Sequence, residues 1–184
     1  TTTHKSFAGV NAAVLTPVTE NLTPNDALMV DYSKWLMSNG CDGLAILGTT
    51  GEANSFSLKE RIRLIENLID GGVPAEALMP GTGACSITDA VELTKMSVNA
   101  GVGGVLMLPP WYYKNPSDAG LFRFFSEVIQ RVADDRLQIY LYHFPQMSAT
   151  PISYNLIEML LKEYPNAVAG MKDSSGDLEN MAGA

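Results

Sequence analysis

Two residues carry the most chemical information in this chain of 184 residues, Tyr142 and Lys172. Lys172 directly follows the apolar run Ala167–Met171, where a buried strand would end. A lysine held in an apolar, partly dry site loses preference for its charged form. The neutral amine then attacks a carbonyl and forms an imine, an electron sink for making and breaking carbon–carbon bonds. The bland alternative is a surface lysine on a loop, paired with Asp173. Tyr142 ends the preceding apolar run, and adjacent strands lie about 4.8 Å apart. Its phenol would therefore reach the amine and shuttle the protons that carbinolamine formation and dehydration require. Taken alone, Tyr142 reads better as a core residue with a wet tip; beside Lys172 the functional reading prevails.

Two further constellations accompany the pair. Gly48-Thr49-Thr50-Gly51-Glu52 is a tight turn with two hydroxyls and several backbone N–H groups, a suitable seat for a carboxylate without any fixed positive charge. Trp111-Tyr112-Tyr113 is an aromatic run that reads equally as packing or as a subunit contact. The two histidines, His4 and His143, cannot build a histidine-rich zinc site between them, so a metal-dependent mechanism starts at a disadvantage.

Short apolar runs alternate with helical patterns along the whole chain, the signature of a parallel α/β fold. Strands are expected at 9–18, 43–47, 78–81, 104–108, 138–142 and 168–171. Thr23-Pro24-Asn25-Asp26 reads as a helix start, with Thr23 as the cap, and that helix should run to Asn39 and stop at Gly40. Ser57-Leu58-Lys59-Glu60 is a capping box opening a helix that ends at Gly71-Gly72. Further helices are expected from Ser86 to Ala100, from Ser117 to Val132, and from Thr150-Pro151 onward. The stretch Gly40–Leu47 is echoed 61 residues later by Gly101–Leu108. That offset is two units of about thirty residues, the length of one βα step.

Six such units fit a (β/α)8 TIM barrel best, a fold of about 250 residues. The chain then covers about the first six units of a single domain spanning residues 1–184, without strands seven and eight. A doubly wound sheet is the alternative, but Gly101-Val102-Gly103-Gly104 precedes its strand where a nucleotide fingerprint would follow it.

Composition narrows the partners. The chain is 46% hydrophobic with a formal net charge of −8, so it repels phosphate backbones and anionic lipid, and neither nucleic acid nor membrane is expected as a partner. No apolar run approaches the ~20 residues needed to span a bilayer. Thr1–Ser6 is polar and unlike the apolar core of a signal peptide, and Cys41 and Cys85 read as reduced thiols, which together suggest a cytoplasmic protein.

The ordered set GTTGE at Gly48–Glu52, the PxYY-like Pro110–Tyr113, YxxP at Tyr142–Pro145 and KDxxGD at Lys172–Asp177 resembles the dihydrodipicolinate synthase / N-acetylneuraminate lyase family of pyruvate-dependent class I aldolases. The resemblance covers the whole chain. It implies that Lys172 forms the imine with pyruvate and that Tyr142 shuttles protons. It further implies that Thr50 with the amides of Gly48–Gly51 holds the pyruvate carboxylate, and that Thr49 links Tyr142 to a second tyrosine. Tyr113 matches that second tyrosine, which family members borrow from a neighbouring subunit. The resemblance also implies a homo-oligomer, a tetramer of tight dimers, and no cofactor.

One position departs from the pattern. The lysine-pathway synthases carry an arginine two residues after the YxxP proline, where it grips the second substrate's carboxylate; here that position is Met147. Methionine cannot make a bidentate carboxylate contact. His143 and Met147 instead hint at another aldehyde or a 2-keto-3-deoxy sugar acid. The expected function is thus a pyruvate-dependent aldolase, lyase or synthase working through Lys172. The alternatives are an aldolase or dehydratase of 2-keto-3-deoxy sugar acids using the same imine, and a catalytically idle barrel serving as a ligand-binding or scaffold protein.

Overall fold

The computed structural model describes residues 7–183; Thr1–Ser6, with His4 among them, and Ala184 lie outside the described residues. The chain forms two compact units, one of residues up to 81 together with 93–105, the other of residues 82–92 together with 106 onward.

In the first unit, strand β1 (Asn11–Ala13) pairs in parallel with β2 (Gly43–Ala45), joined through helix α1 (Asp26–Ser38). The cap of α1 is Asn25, whose side chain accepts from the Leu28 amide, so the expected cap at Thr23 is two residues early. Thr23 and Pro24 are taken by a local antiparallel turn instead: Val18 bridges Pro24, and the Thr19 amide donates to the Thr23 carbonyl. Helix α2 (Leu58–Asp70) begins with the expected capping box, Ser57 and Glu60 each bonding the other's backbone amide. It buries Arg61, Leu64, Ile65 and Leu68, one helical stripe. The expected third strand is reduced to a single parallel bridge, Leu44 to Leu78. Its backbone still behaves as a strand, because the Met79 and Gly81 amides donate to Leu44 and Ile46 and the Leu78 carbonyl accepts from Gly103. Leu44, Ile46, Leu64, Ile65, Leu68 and Leu78 are fully buried in one cluster at the centre of this unit.

Helix α3 (Ile87–Asn99) leads to β3 (Val105–Met107). The echo seen in the sequence has a structural counterpart: Gly40 and Gly101, which precede β2 and β3, both adopt the left-handed conformation, at φ +100° and +83°.

The second unit contains a three-stranded sheet in the order β3-β4-β5, with β4 at Ile139–His143 and β5 at Val168–Asp173. Helix α4 (Asp118–Val132) buries Leu121, Phe124, Phe125, Val128 and Val132, and Ser117 caps it as the sequence indicates. It ends at Val132 as the sequence indicates, with a non-glycine residue, Ala133, taking the left-handed conformation after it. A short helix α5 (Pro145–Ser148) follows β4 directly. The next helix, α6 (Tyr154–Glu163), is capped by Ser153; Thr150-Pro151 therefore precedes the helix and does not open it. Helix α7 (Leu178–Gly183) follows β5. Among the described residues, no helix is long and apolar enough to cross a membrane.

Candidate active site

Tyr142, His143 and Lys172 sit near the carboxyl ends of β4 and β5, where a βα fold gathers its chemistry. The two strands are parallel, and Ile139 pairs with Val168. The register then shifts: Tyr140 pairs with Gly170, which leaves Ala169 as a bulged residue. Beyond the bulge Leu141 pairs with Met171, Tyr142 with Lys172 and His143 with Asp173. Lys172 is consequently inside β5, which runs two residues further than the apolar pattern suggests.

Paired residues of parallel strands share a face, and successive residues alternate. Tyr142 and Lys172 meet on one face, with Lys172 Nζ 4.1 Å from the centroid of the Tyr142 ring. Tyr142 is 3% exposed, so the wet-tip reading of an isolated core tyrosine is replaced by direct contact with the lysine. The alternative of an exposed Lys172 paired with Asp173 is not what forms. The ion pairs among the described residues are Arg63–Asp26, Arg131–Glu127 and Arg136–Asp134.

His143 does not join the pair. It is buried on the opposite face, where its Nδ1 accepts a hydrogen bond from the Ile152 amide at 3.0 Å. That bond also holds the residue after Thr150-Pro151, ahead of the Ser153 cap. Met147 lies on α5 and is 61% exposed. Tyr113 is 84% exposed, in edge-to-face contact with Tyr112 at 5.1 Å between centroids. Their loop is held near its base by a hydrogen bond from Lys114 to the Trp111 carbonyl.

The Gly48–Glu52 turn belongs to the first unit. Leu47, buried ahead of it, takes the left-handed conformation at φ +52°, which ends β2 early. A non-glycine residue there is uncommon and carries local strain. Two glycines make that conformation packable. A Cβ on Gly81 would stand 1.9 Å from the Leu47 carbonyl oxygen, and one on Gly51 would stand 3.0 Å from the Leu47 amide nitrogen. The turn closes on itself through Glu52 amide to Thr49 carbonyl and Ala53 amide to Gly48 carbonyl. Thr16 Oγ1 donates to the Gly51 carbonyl at 2.7 Å. Among the described residues, the amides of Thr50 and Gly51 donate to no protein acceptor. Thr50 is exposed, whereas Thr49 is half-buried and engaged with the protein.

Sequence reasoning passed over Arg61. It lies on the buried stripe of α2, and its Nη2 donates to the Gly81 carbonyl at 2.6 Å. An arginine at a core position of an otherwise apolar stripe is the signal that could have found it.

A model of the dihydrodipicolinate synthetase family matches residues 6–183. An uncharacterized DapA-like lyase of Chloroflexus aurantiacus is 35% identical over 173 residues, which is 94% of this chain and 57% of that protein. The crystal structure of dihydrodipicolinate synthase from Agrobacterium tumefaciens superposes with a TM-score of 0.91 at 33% identity, covering 95% of this chain and 61% of that one. A dihydrodipicolinate synthase from Acinetobacter baumannii, solved in complex with pyruvate, superposes with a TM-score of 0.84 at 28% identity, over 95% and 58% of the two chains. The chain thus has the α/β fold of these TIM-barrel proteins over the matched part, and spans less than two thirds of the length of the relatives it matches.

Proposed function

Because the chain belongs to the dihydrodipicolinate synthetase family, we propose that it works as a pyruvate-dependent lyase, aldolase or synthase in which Lys172 forms the imine. The observation that carries this reading is the contact of Lys172 Nζ with the buried Tyr142 ring on the last rungs of β4 and β5. Pyruvate is the expected 2-oxo acid, since a family member has been crystallised with it.

The chemistry follows from the residues in place. The neutral Lys172 amine adds to the C2 carbonyl of pyruvate, giving a carbinolamine. Tyr142 carries a proton to the departing hydroxyl, water leaves, and the imine forms. Loss of a C3 proton gives the enamine, whose C3 bonds to the carbonyl carbon of an aldehyde; hydrolysis then frees Lys172. Cleavage runs the same steps in reverse. The Gly48–Gly51 turn is the proposed carboxylate seat, with the Thr50 hydroxyl and the amides of Thr50 and Gly51 as donors. Thr49 is the proposed link to a second tyrosine. The exposure of Tyr113 suits a residue lent to a neighbouring subunit of a homo-oligomer.

The second substrate is proposed to be an aldehyde without a carboxylate near Met147, or the reaction to be cleavage or dehydration of a 2-keto-3-deoxy sugar acid whose own 2-oxo group takes the imine, because an exposed thioether offers no cation there. The order of strands and helices and the share of its relatives' length support reading this chain as about six βα units of one (β/α)8 barrel. Sodium borohydride with pyruvate tests the central claim. The expected result is a reduced adduct on the peptide containing Lys172; an unchanged mass, or an adduct at Lys162 or Lys114, overturns it.

A further inference from the structure

β5 ends one residue beyond Lys172, at Asp173, and this residue is tied down on several sides. Its Oδ1 accepts from the Ser175 amide at 2.7 Å, and its Oδ2 accepts from Asn180 Nδ2 at 2.6 Å. Asn180 belongs to α7, whose first turn is held by Asp177 Oδ1 accepting from the amides of Glu179 and Asn180. The connecting turn is anchored to its neighbours by Ser174 amide to His143 carbonyl at 2.9 Å and by Gln146 Nε2 to Ser175 carbonyl at 2.6 Å. His143 occupies the same rung as Asp173 and is itself fixed by Ile152. Directly behind the Tyr142–Lys172 rung, on the other face, a second rung therefore joins β4, β5, the following turn and α7.

Asp173 is built to stay ionised. Burial pushes its carboxyl up, but the hydrogen bonds from Ser175 and Asn180 outweigh that and hold it below the usual carboxylate range. Strand alternation directs its side chain away from the Lys172 amine, so its role is mechanical.

We infer that Asp173 is a positioning residue: by tying the end of β5 to α7 through Asn180 it holds Lys172 over Tyr142. The inference rests on the reading of Lys172 as the imine residue. Small displacements of a reacting group are costly, with about 1 Å worth up to ~100-fold in rate.

The test is the rate of borohydride trapping with pyruvate, per mole of folded protein, across a pH series. Asp173→Asn places an amide opposite the Asn180 amide, and the double swap Asp173→Asn with Asn180→Asp restores a donor–acceptor pair in reverse. The expected result is a plateau rate lowered about 10- to 100-fold in Asp173→Asn with an unchanged pH midpoint, and substantial recovery in the double swap. A wild-type plateau overturns the inference. So does a shifted midpoint with the plateau intact, which would make Asp173 an electrostatic partner of Lys172, and so does a loss that the swap leaves unrepaired. Should Asp173→Asn not fold, Asn180→Ala breaks the same link, with the same plateau loss expected and a wild-type rate overturning the assignment. Failure of the underlying reading looks different, because the wild-type protein would then give no adduct at Lys172.

Discussion

Lys172 Nζ lies 4.1 Å from the centroid of the Tyr142 ring, and one bulged residue, Ala169, puts the two side by side. Had the pairing that starts at Ile139 and Val168 continued without a shift, Tyr142 would stand beside Met171 and Lys172 beside His143. A one-residue slip exchanges the faces of a strand. The bulge therefore decides which aromatic residue the lysine meets.

Tyr142→Phe keeps the ring that Lys172 packs on and removes only the hydroxyl. Turnover should fall by about 10²–10⁴, the usual worth of a positioned proton donor. Steady-state kcat, alongside a thermal melt showing an intact fold, measures it. A variant with near-normal kcat returns Tyr142 to a packing role.

Gly81→Ala forces a methyl group to within 1.9 Å of the Leu47 carbonyl oxygen, so backbone must move. Destabilisation of about 1–3 kcal/mol or more is expected from overpacking of this kind. The same shift disturbs the turn that follows Leu47, and KM for pyruvate should rise. Chemical denaturation and pyruvate titration read the two effects separately, and a neutral Gly81→Ala would show that the turn is not braced here.

Met147→Arg should favour a carboxylated acceptor. A charge-assisted hydrogen bond contributes about 1.5–3 kcal/mol, or roughly tenfold or more in kcat/KM. Aspartate semialdehyde should improve at least ~10-fold in the variant, while uncharged aldehydes or deoxy sugar acids do not. If aspartate semialdehyde is already the best substrate and the variant gains nothing, another residue carries that carboxylate.

Several carboxyls should make the fold acid-sensitive. Hydrogen bonds and charge from Arg136 hold Asp134 down to about 2, from an ordinary 3.8, and Asp118 is lowered by Asn155 and Ser153. Asp173 is lowered as well. A depressed carboxyl contributes stability that is present above its unfolded value and lost as pH falls through its folded one. The melting temperature should therefore fall as pH drops below about 4 towards about 2, less steeply in Asp134→Asn. Identical acid limbs in the two proteins would remove Asp134 from the explanation.

The sequence by itself determined what depends on neighbours three or four residues apart. The Ser57–Glu60 capping box, the caps at Ser117 and Ser153, the buried stripes of α2 and α4 and the left-handed glycines Gly40 and Gly101 are local devices. Ser153 is masked in the sequence because Thr150-Pro151 offers a competing start. Lys172 at the end of an apolar run was legible for the same reason. Tertiary structure decided the rest. The register of β4 against β5 joins residues about thirty positions apart, and no local pattern marks Ala169 as the residue left out. That register sends His143 to the face opposite Lys172 and brings Asp173 behind it, a division that residue types alone do not reveal. The left-handed Leu47 is likewise invisible in sequence, since leucine rarely adopts that conformation. It becomes affordable only where distant Gly81 leaves room for its carbonyl.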